Sequence, residues 1–243
     1  MYTLFFDLGS TLLYTQEPWP PVLANASEAL ERQLHQDGVP VDSAILHNGF
    51  DNFLDAYYAQ RAGDNLELTS FVFLRDLLAR NGFGSVPDFI LRCALDAMYA
   101  VTERNWHIET DAIPTLSSLM AKGYRLGMIT NASDENNTQA LIDQNGLRLY
   151  FEFIISSAKC GIRKPDARIF QLALDHLGIQ PTEAVMIGDT LEADILGANQ
   201  LGIYSIWITR RAVLPPDGEL TIQPQAVIAS LSDLPSLLAS LHE

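Results

Sequence analysis

The chain has 243 residues, of which 48% are hydrophobic and 19% are charged, and its formal net charge is −15 at neutral pH. This composition is too apolar for a disordered chain, while the longest apolar runs fall far short of the roughly 20 residues that a membrane helix needs. The strong acidity argues against a nucleic-acid partner, because phosphate backbones are bound by clustered Lys and Arg side chains.

The chain begins with a short run, residues 2–7, that predicts a β-strand ending in the carboxylate Asp7. No basic region precedes this apolar run and no small-residue cleavage site follows it, so we expect no secretory signal and a cytoplasmic protein. Only two cysteines are present, Cys93 and Cys160, which excludes a disulfide framework or a cysteine-based zinc site.

Residues 18–103 show apolar residues at helical spacing and no convincing strand. Breaks rich in glycine, proline and asparagine separate four predicted helices, at residues 22–34, 45–58, 71–78 and 89–101.

After residue 104 the sequence alternates between predicted helices and short apolar strands. The helices are predicted at residues 113–120, 134–144, 166–177 and 191–201, with a short one from Asp233, and the strands at residues 124–130, 153–156, 184–188, 204–209 and 226–228. Nearly continuous apolar strands that alternate with helices are typical of a parallel sheet covered on both faces. We therefore predict an α/β, Rossmann-like core (residues 1–15 and 104–243) with an inserted all-helical cap (residues 16–103).

Polar residues follow the predicted strands in a consistent way. Asp7 ends the first strand, Thr130 and Asn131 end another, and Asp189 and Asp194 follow the strand at residues 184–188, while Lys164 lies in a later loop. Ligands of open α/β sheets bind beyond the carboxyl ends of the strands. Two carboxylates, a hydroxyl, a cation and a further carboxylate at one edge fit a divalent cation and a phosphate.

Four segments resemble the motifs of the haloacid dehalogenase-like hydrolase superfamily. They are Phe-Asp-Leu-Gly-Ser-Thr-Leu at residues 6–12, Ile-Thr-Asn at 129–131, Arg-Lys-Pro-Asp at 163–166 and Gly-Asp-Thr-Leu-Glu-Ala-Asp at 188–194. They occur in the family's order, each near a predicted strand end. The resemblance covers the whole predicted core, whereas the cap resembles the family only in being helical.

The resemblance implies a role for each of these residues. Asp7 is the expected nucleophile, and Asp7, Asp189 and the main-chain carbonyl of Gly9 are the expected ligands of Mg²⁺. Lys164 is expected to neutralise phosphate charge and to keep Asp7 ionised. Thr130 and Asn131 are expected to donate hydrogen bonds to the phosphoryl group, and Asp194 to orient Lys164 or a metal-bound water from outside the ligand shell.

Gly9 departs from the family pattern, in which phosphatases usually carry a second Asp two residues after the nucleophile. That Asp protonates the leaving alcohol and later activates water, so glycine keeps the carbonyl ligand and loses the acid/base. General acid–base catalysis contributes about 10²–10⁴ in rate, and a handicap of that order is expected unless another group, such as Glu17 or a cap acid, substitutes.

The sequence thus predicts a Mg²⁺-dependent phosphomonoesterase that acts on a small phosphorylated metabolite, without nucleic-acid or membrane partners, as a monomer or homodimer. Two alternatives stay open. A metal-independent dehalogenase would use Asp7 to attack carbon, and a catalytically silent binding or regulatory protein would keep the metal pocket without turnover.

Overall fold

A six-stranded parallel sheet forms the centre of the molecule in the computed structural model, which describes residues 2–46, 48–49, 65–214 and 220–241. The chain forms eight strands in this described part: β1 (Thr3–Phe6), β2 (Leu13–Thr15), β3 (Trp106–Ile108), β4 (Arg125–Thr130), β5 (Phe153–Ser156), β6 (Ala184–Gly188), β7 (Tyr204–Ile208) and β8 (Ala226–Ile228). The sheet order is β5-β4-β1-β6-β7-β8, and every neighbouring pair runs parallel. The predicted α/β, Rossmann-like class is confirmed.

Apart from a four-residue helix at Ser157–Cys160, which was not predicted, the helices of the described chain follow the predicted pattern. They are α1 (Trp19–Gln36), α2 (Ser70–Arg80), α3 (Asp88–Thr102), α4 (Ala112–Ala121), α5 (Glu135–Gln144), α6 (Ser157–Cys160), α7 (Ala167–Leu177), α8 (Leu196–Leu201) and α9 (Leu234–Ser240). The helix predicted over residues 45–58 falls mostly outside the described residues. None of the described helices has the length and apolar character needed to cross a bilayer.

Both faces of the sheet are covered, as the continuous burial of β1 requires. Leu4 and Phe6 point to one face and pack with residues of α4, α5 and α9, while Phe5 points to the other and packs with residues of α7 and α8. Successive residues of a strand point to opposite faces, so a strand that is apolar throughout needs a helical layer on each side.

Helices α1, α2 and α3 contain a separate apolar cluster that includes Leu30, Leu34, Leu74, Leu91 and Leu95. All five side chains are fully buried or nearly so. The helical stretch between β2 and β3 thus has its own apolar interior. The division into a core and a cap, with the boundaries given above, stays a prediction.

A second, two-stranded sheet was not predicted. β2 and β3 pair antiparallel, with Tyr14 opposite His107 and Thr15 opposite Trp106. Each strand is only three residues long, and about 90 residues of sequence separate them, so local periodicity gives no signal for the pairing. This small sheet brings the two ends of the helical stretch together, a few residues beyond the end of β1.

Candidate active site

The site lies where the direction of chain connections reverses along the sheet. β1 is flanked by β4 on one side and β6 on the other. The connections after β1 lead toward β4, and those after β6 lead toward β7, so a crevice opens between the carboxyl ends of β1 and β6. Asp7 directly follows β1 and Asp189 directly follows β6.

Lys164 is the cation at the centre of this crevice. Its buried ammonium donates hydrogen bonds to Asp7 Oδ1 at 2.7 Å, to Asp194 Oδ1 at 2.6 Å and to the carbonyl oxygen of Ile129 at 2.7 Å. These three acceptors use all three ammonium protons. Burial opposes the charge, but Asp194 and Asp7 outweigh it and raise the pKa of Lys164, so the lysine stays protonated.

Three carboxylates crowd around this single cation. One oxygen each of Asp7, Asp189 and Asp194 can be chosen so that all three lie within 4.8 Å of one another. Burial and the charges of Asp7 and Asp194 raise the pKa of Asp189 to about 8. Burial also raises the pKa of Asp194, to about 6, although Lys164 opposes this. The site therefore has an excess of negative charge, and a divalent cation with oxygen ligands would relieve it.

Asp194 reaches the site from a π-helical turn, Leu191–Ile195, where the sequence predicted the start of an ordinary helix. Its Oδ2 accepts a hydrogen bond of 3.0 Å from the main-chain N–H of Thr190, while its Oδ1 is held by Lys164. A Cβ atom on Gly188 would lie 2.3 Å from the Asp194 carboxyl carbon, so only glycine permits this close approach. Both carboxylate oxygens of Asp194 are therefore engaged within the protein, one of them with Lys164.

Asn131 holds the main chain of Lys164. Its carboxamide nitrogen donates to the Lys164 carbonyl at 3.0 Å, and its carboxamide oxygen accepts from the Lys164 N–H at 2.8 Å. The side chain is therefore engaged within the protein, which leaves the predicted contact with a phosphoryl group to the main-chain N–H. Thr130 is buried at the end of β4, and its hydroxyl has no hydrogen-bond partner among the described residues.

Sequence reasoning missed three further contacts of the site. The Trp207 indole N–H donates to the carbonyl oxygen of Asp189 at 2.7 Å, and the Thr11 hydroxyl lies 3.5 Å from Asp189 Oδ1. Trp106 of β3 lies beside Gly9, where a Cβ atom would be 3.3 Å from the indole carbon Cη2. Thr11 falls within the first motif segment and could have been suspected, whereas no sequence pattern connects either tryptophan with the site.

The loop after Asp7 turns sharply. Ser10 has a φ of 58°, a left-handed conformation that a non-glycine residue rarely adopts, and the N–H groups of Leu12 and Leu13 both donate to the carbonyl oxygen of Leu8. Strained backbone of this kind is characteristic of functional loops. The turn follows the carboxyl end of β1 within a few residues.

Comparison with known proteins finds similar sequences and structures. The family model for haloacid dehalogenase-like hydrolases matches residues 1–202. A glyceraldehyde 3-phosphate phosphatase from Pyrococcus furiosus is 29% identical over 98% of this chain and 92% of its own length. A solved structure, a 2-haloacid dehalogenase from Pseudomonas syringae pv. Tomato, is 28% identical, covers 99% of this chain and 100% of its own, and superposes with a TM-score of 0.70.

Higher identity occurs over shorter stretches. A glyceraldehyde 3-phosphate phosphatase from Methanopyrus kandleri is 38% identical over 100 residues, which are 41% of this chain and 42% of that relative. The matched region therefore covers less than half the length of this relative.

Proposed function

Since the chain belongs to the haloacid dehalogenase-like hydrolase family, we propose that it is a Mg²⁺-dependent phosphomonoesterase acting on a small phosphorylated metabolite. The observation that carries the proposal is the cluster of Asp7, Asp189 and Asp194 around the buried ammonium of Lys164. Attack on phosphorus brings the Asp7 carboxylate toward a phosphate dianion, and the two repel each other. The cluster supplies the fixed cation Lys164 and oxygen ligands for a second cation, which would both reduce this repulsion.

Asp7 is the proposed nucleophile. Lys164 binds its Oδ1, which fixes the orientation of the carboxylate and leaves Oδ2 as the oxygen that attacks phosphorus. The phosphoryl oxygens would accept hydrogen bonds from the Thr130 hydroxyl and the Asn131 main-chain N–H. The product of the first step is an aspartyl phosphate on Asp7, which water then hydrolyses.

The carboxylates of Asp7 and Asp189 and the main-chain carbonyl of Gly9 are the proposed ligands of Mg²⁺. These hard oxygen donors suit the ion, and the raised pKa of Asp189, caused by burial and by the charges of Asp7 and Asp194, supports a cation at this place. Bound there, Mg²⁺ would neutralise charge on the transferring phosphoryl group and on the nucleophile.

The helical stretch at residues 16–103 is proposed to act as the cap of this site. Its apolar interior, formed by α1, α2 and α3, is separate from the apolar clusters that cover the sheet. A cap closing over the carboxyl edge would exclude bulk water and select the substrate.

A dehalogenase is the second candidate, because a solved 2-haloacid dehalogenase matches the chain over its full length. Attack of Asp7 on carbon would need no metal. The three clustered carboxylates favour the phosphatase, because their excess negative charge has no use in that reaction.

A direct test compares the two chemistries in one preparation. We expect hydrolysis of p-nitrophenyl phosphate that requires Mg²⁺, stops with EDTA and is lost in Asp7→Asn. Asp175→Asn, the same change at an exposed position of α7, is the matched control and retains activity. Metal-independent halide release from a 2-haloacid would establish the dehalogenase instead, and the absence of both reactions would favour the silent binding protein.

A further inference from the structure

An indole ring occupies the space beside Gly9. A Cβ atom built on Gly9 would lie 3.3 Å from Cη2 and 3.7 Å from Cζ3 of Trp106, a tighter contact than most side chains tolerate. The ring of Trp19, at the start of α1, meets the Trp106 ring edge to face with a centroid distance of 5.7 Å and an interplanar angle of 63°. The two indoles are both half-buried. They form an apolar wall beside Gly9, which follows the proposed nucleophile Asp7 by two residues.

The position of Trp106 is fixed by its neighbours. Trp106 lies opposite Thr15 in the two-stranded sheet. The preceding residue, Asn105, is buried, and its side chain accepts from the N–H of Glu17 at 2.7 Å and donates to the carbonyl oxygen of Glu17 at 3.0 Å. The main-chain carbonyl of Asn105 accepts from the N–H of Gln16 at 3.1 Å. These contacts fix the main chain at Trp106.

For the proposed attack by Asp7, this wall is expected on the side from which a leaving group departs. In an in-line displacement the leaving group is on the far side of phosphorus from the attacking carboxylate oxygen. The sheet lies behind Asp7, so the remainder of a substrate extends away from the carboxyl edge, toward the two ends of the helical stretch. Trp106 and Trp19 lie at those two ends.

Among the described residues, no ionisable side chain forms a hydrogen bond or a ring contact with Gly9 or Trp106. His107 alternates with Trp106 along β3 and lies on the opposite face of the small sheet, where its ring is 5.8 Å from the ring of Tyr14. Glu17 is exposed. Glu109 is buried and paired with Arg210 at 2.9 Å and Arg211 at 2.8 Å.

We propose that this site selects phosphorylated substrates with a flat, weakly basic leaving group that departs as an anion without being protonated, and that Trp106 is the residue that determines this selectivity. The inference rests on the phosphatase function proposed above and narrows its substrate class. Aryl phosphates are the simplest members of that class, and acyl and enol phosphates share the same leaving-group chemistry.

The chemistry balances without a general acid. An Asp7 carboxylate oxygen bonds to phosphorus as the bond between phosphorus and the leaving oxygen breaks, and the electron pair remains on the leaving oxygen. In the second half a water oxygen bonds to phosphorus and the Asp7 carboxylate is released. One water proton remains on the hydrogen phosphate and the other passes to solvent.

The test is the dependence of kcat/KM on the acidity of the leaving phenol, measured with Mg²⁺ on a series of substituted phenyl phosphates and one alkyl phosphate. We expect a steep decline, about 10²–10⁴ from the most acidic phenol to the alcohol, which is the contribution that a general acid otherwise makes. The double variant Gly9→Asp/Trp106→Ala supplies both an acid and room for it. This variant should raise kcat/KM at least tenfold for the substrates with the poorest leaving groups. It should also add an acidic limb to the pH profile of kcat/KM.

The matched control is Gly9→Asn/Trp106→Ala, which has the same shape and no ionisable group, and it should show neither gain. Gly9→Asp alone should also gain little, because Trp106 fills the space that the carboxyl group needs. If a variant fails to fold, the measurements of the native protein on the substrate series still test the inference.

The outcomes separate the two proposals. Mg²⁺-dependent hydrolysis with little dependence on the leaving group would overturn the inference and leave the phosphatase intact, since a proton donor elsewhere would then take the role. A rescue by the asparagine variant equal to that by the aspartate variant would also contradict it. No hydrolysis of any phosphate would overturn the proposed function, and this inference with it.

Discussion

At the scale of single residues, the candidate site depends on one buried lysine. Lys164 joins two carboxylates from different parts of the chain, Asp7 and Asp194, and its side chain is 1% exposed. Asn131 holds the lysine's main chain from the neighbouring loop. The two carboxylates therefore contact the charged group of Lys164, whereas Asn131 holds its main chain. The two sets of contacts can be tested separately.

The charge is tested by Lys164→Met. Removing one partner of a buried ion pair leaves uncompensated buried charge and costs about 3–5 kcal/mol. We expect the free energy of unfolding to fall by about that amount in urea denaturation. Lys122→Met, at an exposed lysine, is the control and should be nearly neutral. A loss below about 1 kcal/mol at Lys164 would contradict the assigned contacts.

The position is tested by Asn131→Ala, which removes both hydrogen bonds to the Lys164 main chain. We expect kcat to fall at least tenfold on p-nitrophenyl phosphate while KM changes little, because a displaced catalytic group affects the reaction more than binding. Asn145→Ala, which removes one side-chain hydrogen bond to the carbonyl of Leu141, is the control. An unchanged kcat would show that Asn131 is not a positioning residue.

Most residues of the candidate site could be predicted from the sequence because each lies at or near a strand end within a recognisable motif. Trp106 and Trp207 could not, because their contacts with Gly9 and Asp189 arise only when distant strands come together. The partner of the Asn131 carboxamide was missed for the same reason.

At the scale of elements, the segment before α2 packs against the loop that leads to Lys164. Glu67 forms an ion pair with Arg163, with a distance of 3.2 Å between Oε1 and Nη1, and its N–H donates to the carbonyl oxygen of Gly161. The Arg163 N–H donates to the carbonyl oxygen of Asn65, and Leu66 forms an antiparallel bridge with Ile162. This contact connects the helical stretch directly to the residue before Lys164.

Burial raises the pKa of Glu67 to about 6, despite the opposing charge of Arg163. A carboxyl group whose pKa is raised on folding stabilises the protein below its unfolded pKa, and this contribution is lost as the pH rises through the folded value. Relative to Glu67→Gln, the native protein should therefore lose about 2 kcal/mol of unfolding free energy between about pH 4 and pH 7. Urea denaturation of both proteins across this range measures the difference. A change in the opposite direction would show that Arg163 outweighs burial.

The strands of the sheet and the helices that cover it were predicted well because their apolar periodicity is strong. β5, β6 and β8 have the predicted bounds, and β4 and β7 differ by one residue at one end. The β2–β3 pair was missed because two three-residue strands distant in sequence have no local signature. The π-helical turn at Leu191–Ile195 was missed because its apolar spacing resembles that of an ordinary helix.

At the scale of the whole molecule, folding gathers three carboxylates against one lysine in a chain that already carries a net charge of −15. Such a site should favour a divalent cation and bind it in competition with protons. The pKa of Asp189, raised to about 8 by burial and by the charges of Asp7 and Asp194, sets the range of pH in which this competition occurs.

Mg²⁺ affinity should therefore rise with pH. We expect binding about 25-fold tighter near pH 8.5 than near pH 6.5, measured by isothermal titration calorimetry, with proton release at the lower pH. The metal should also raise Tm more at the higher pH. Asp189→Asn should abolish both effects. Affinity that is independent of pH would contradict the assignment of Asp189 as a ligand that must lose a proton.

The central claim is that Asp7 forms a covalent bond to phosphorus during turnover. Mass spectrometry of the protein, quenched in acid during steady-state hydrolysis of an aryl phosphate, tests it most directly. The account predicts one added phosphoryl group on the peptide that contains Asp7, present only with Mg²⁺ and absent in Asp7→Asn. Active enzyme with no such adduct, or with the phosphoryl group on another residue, would contradict it.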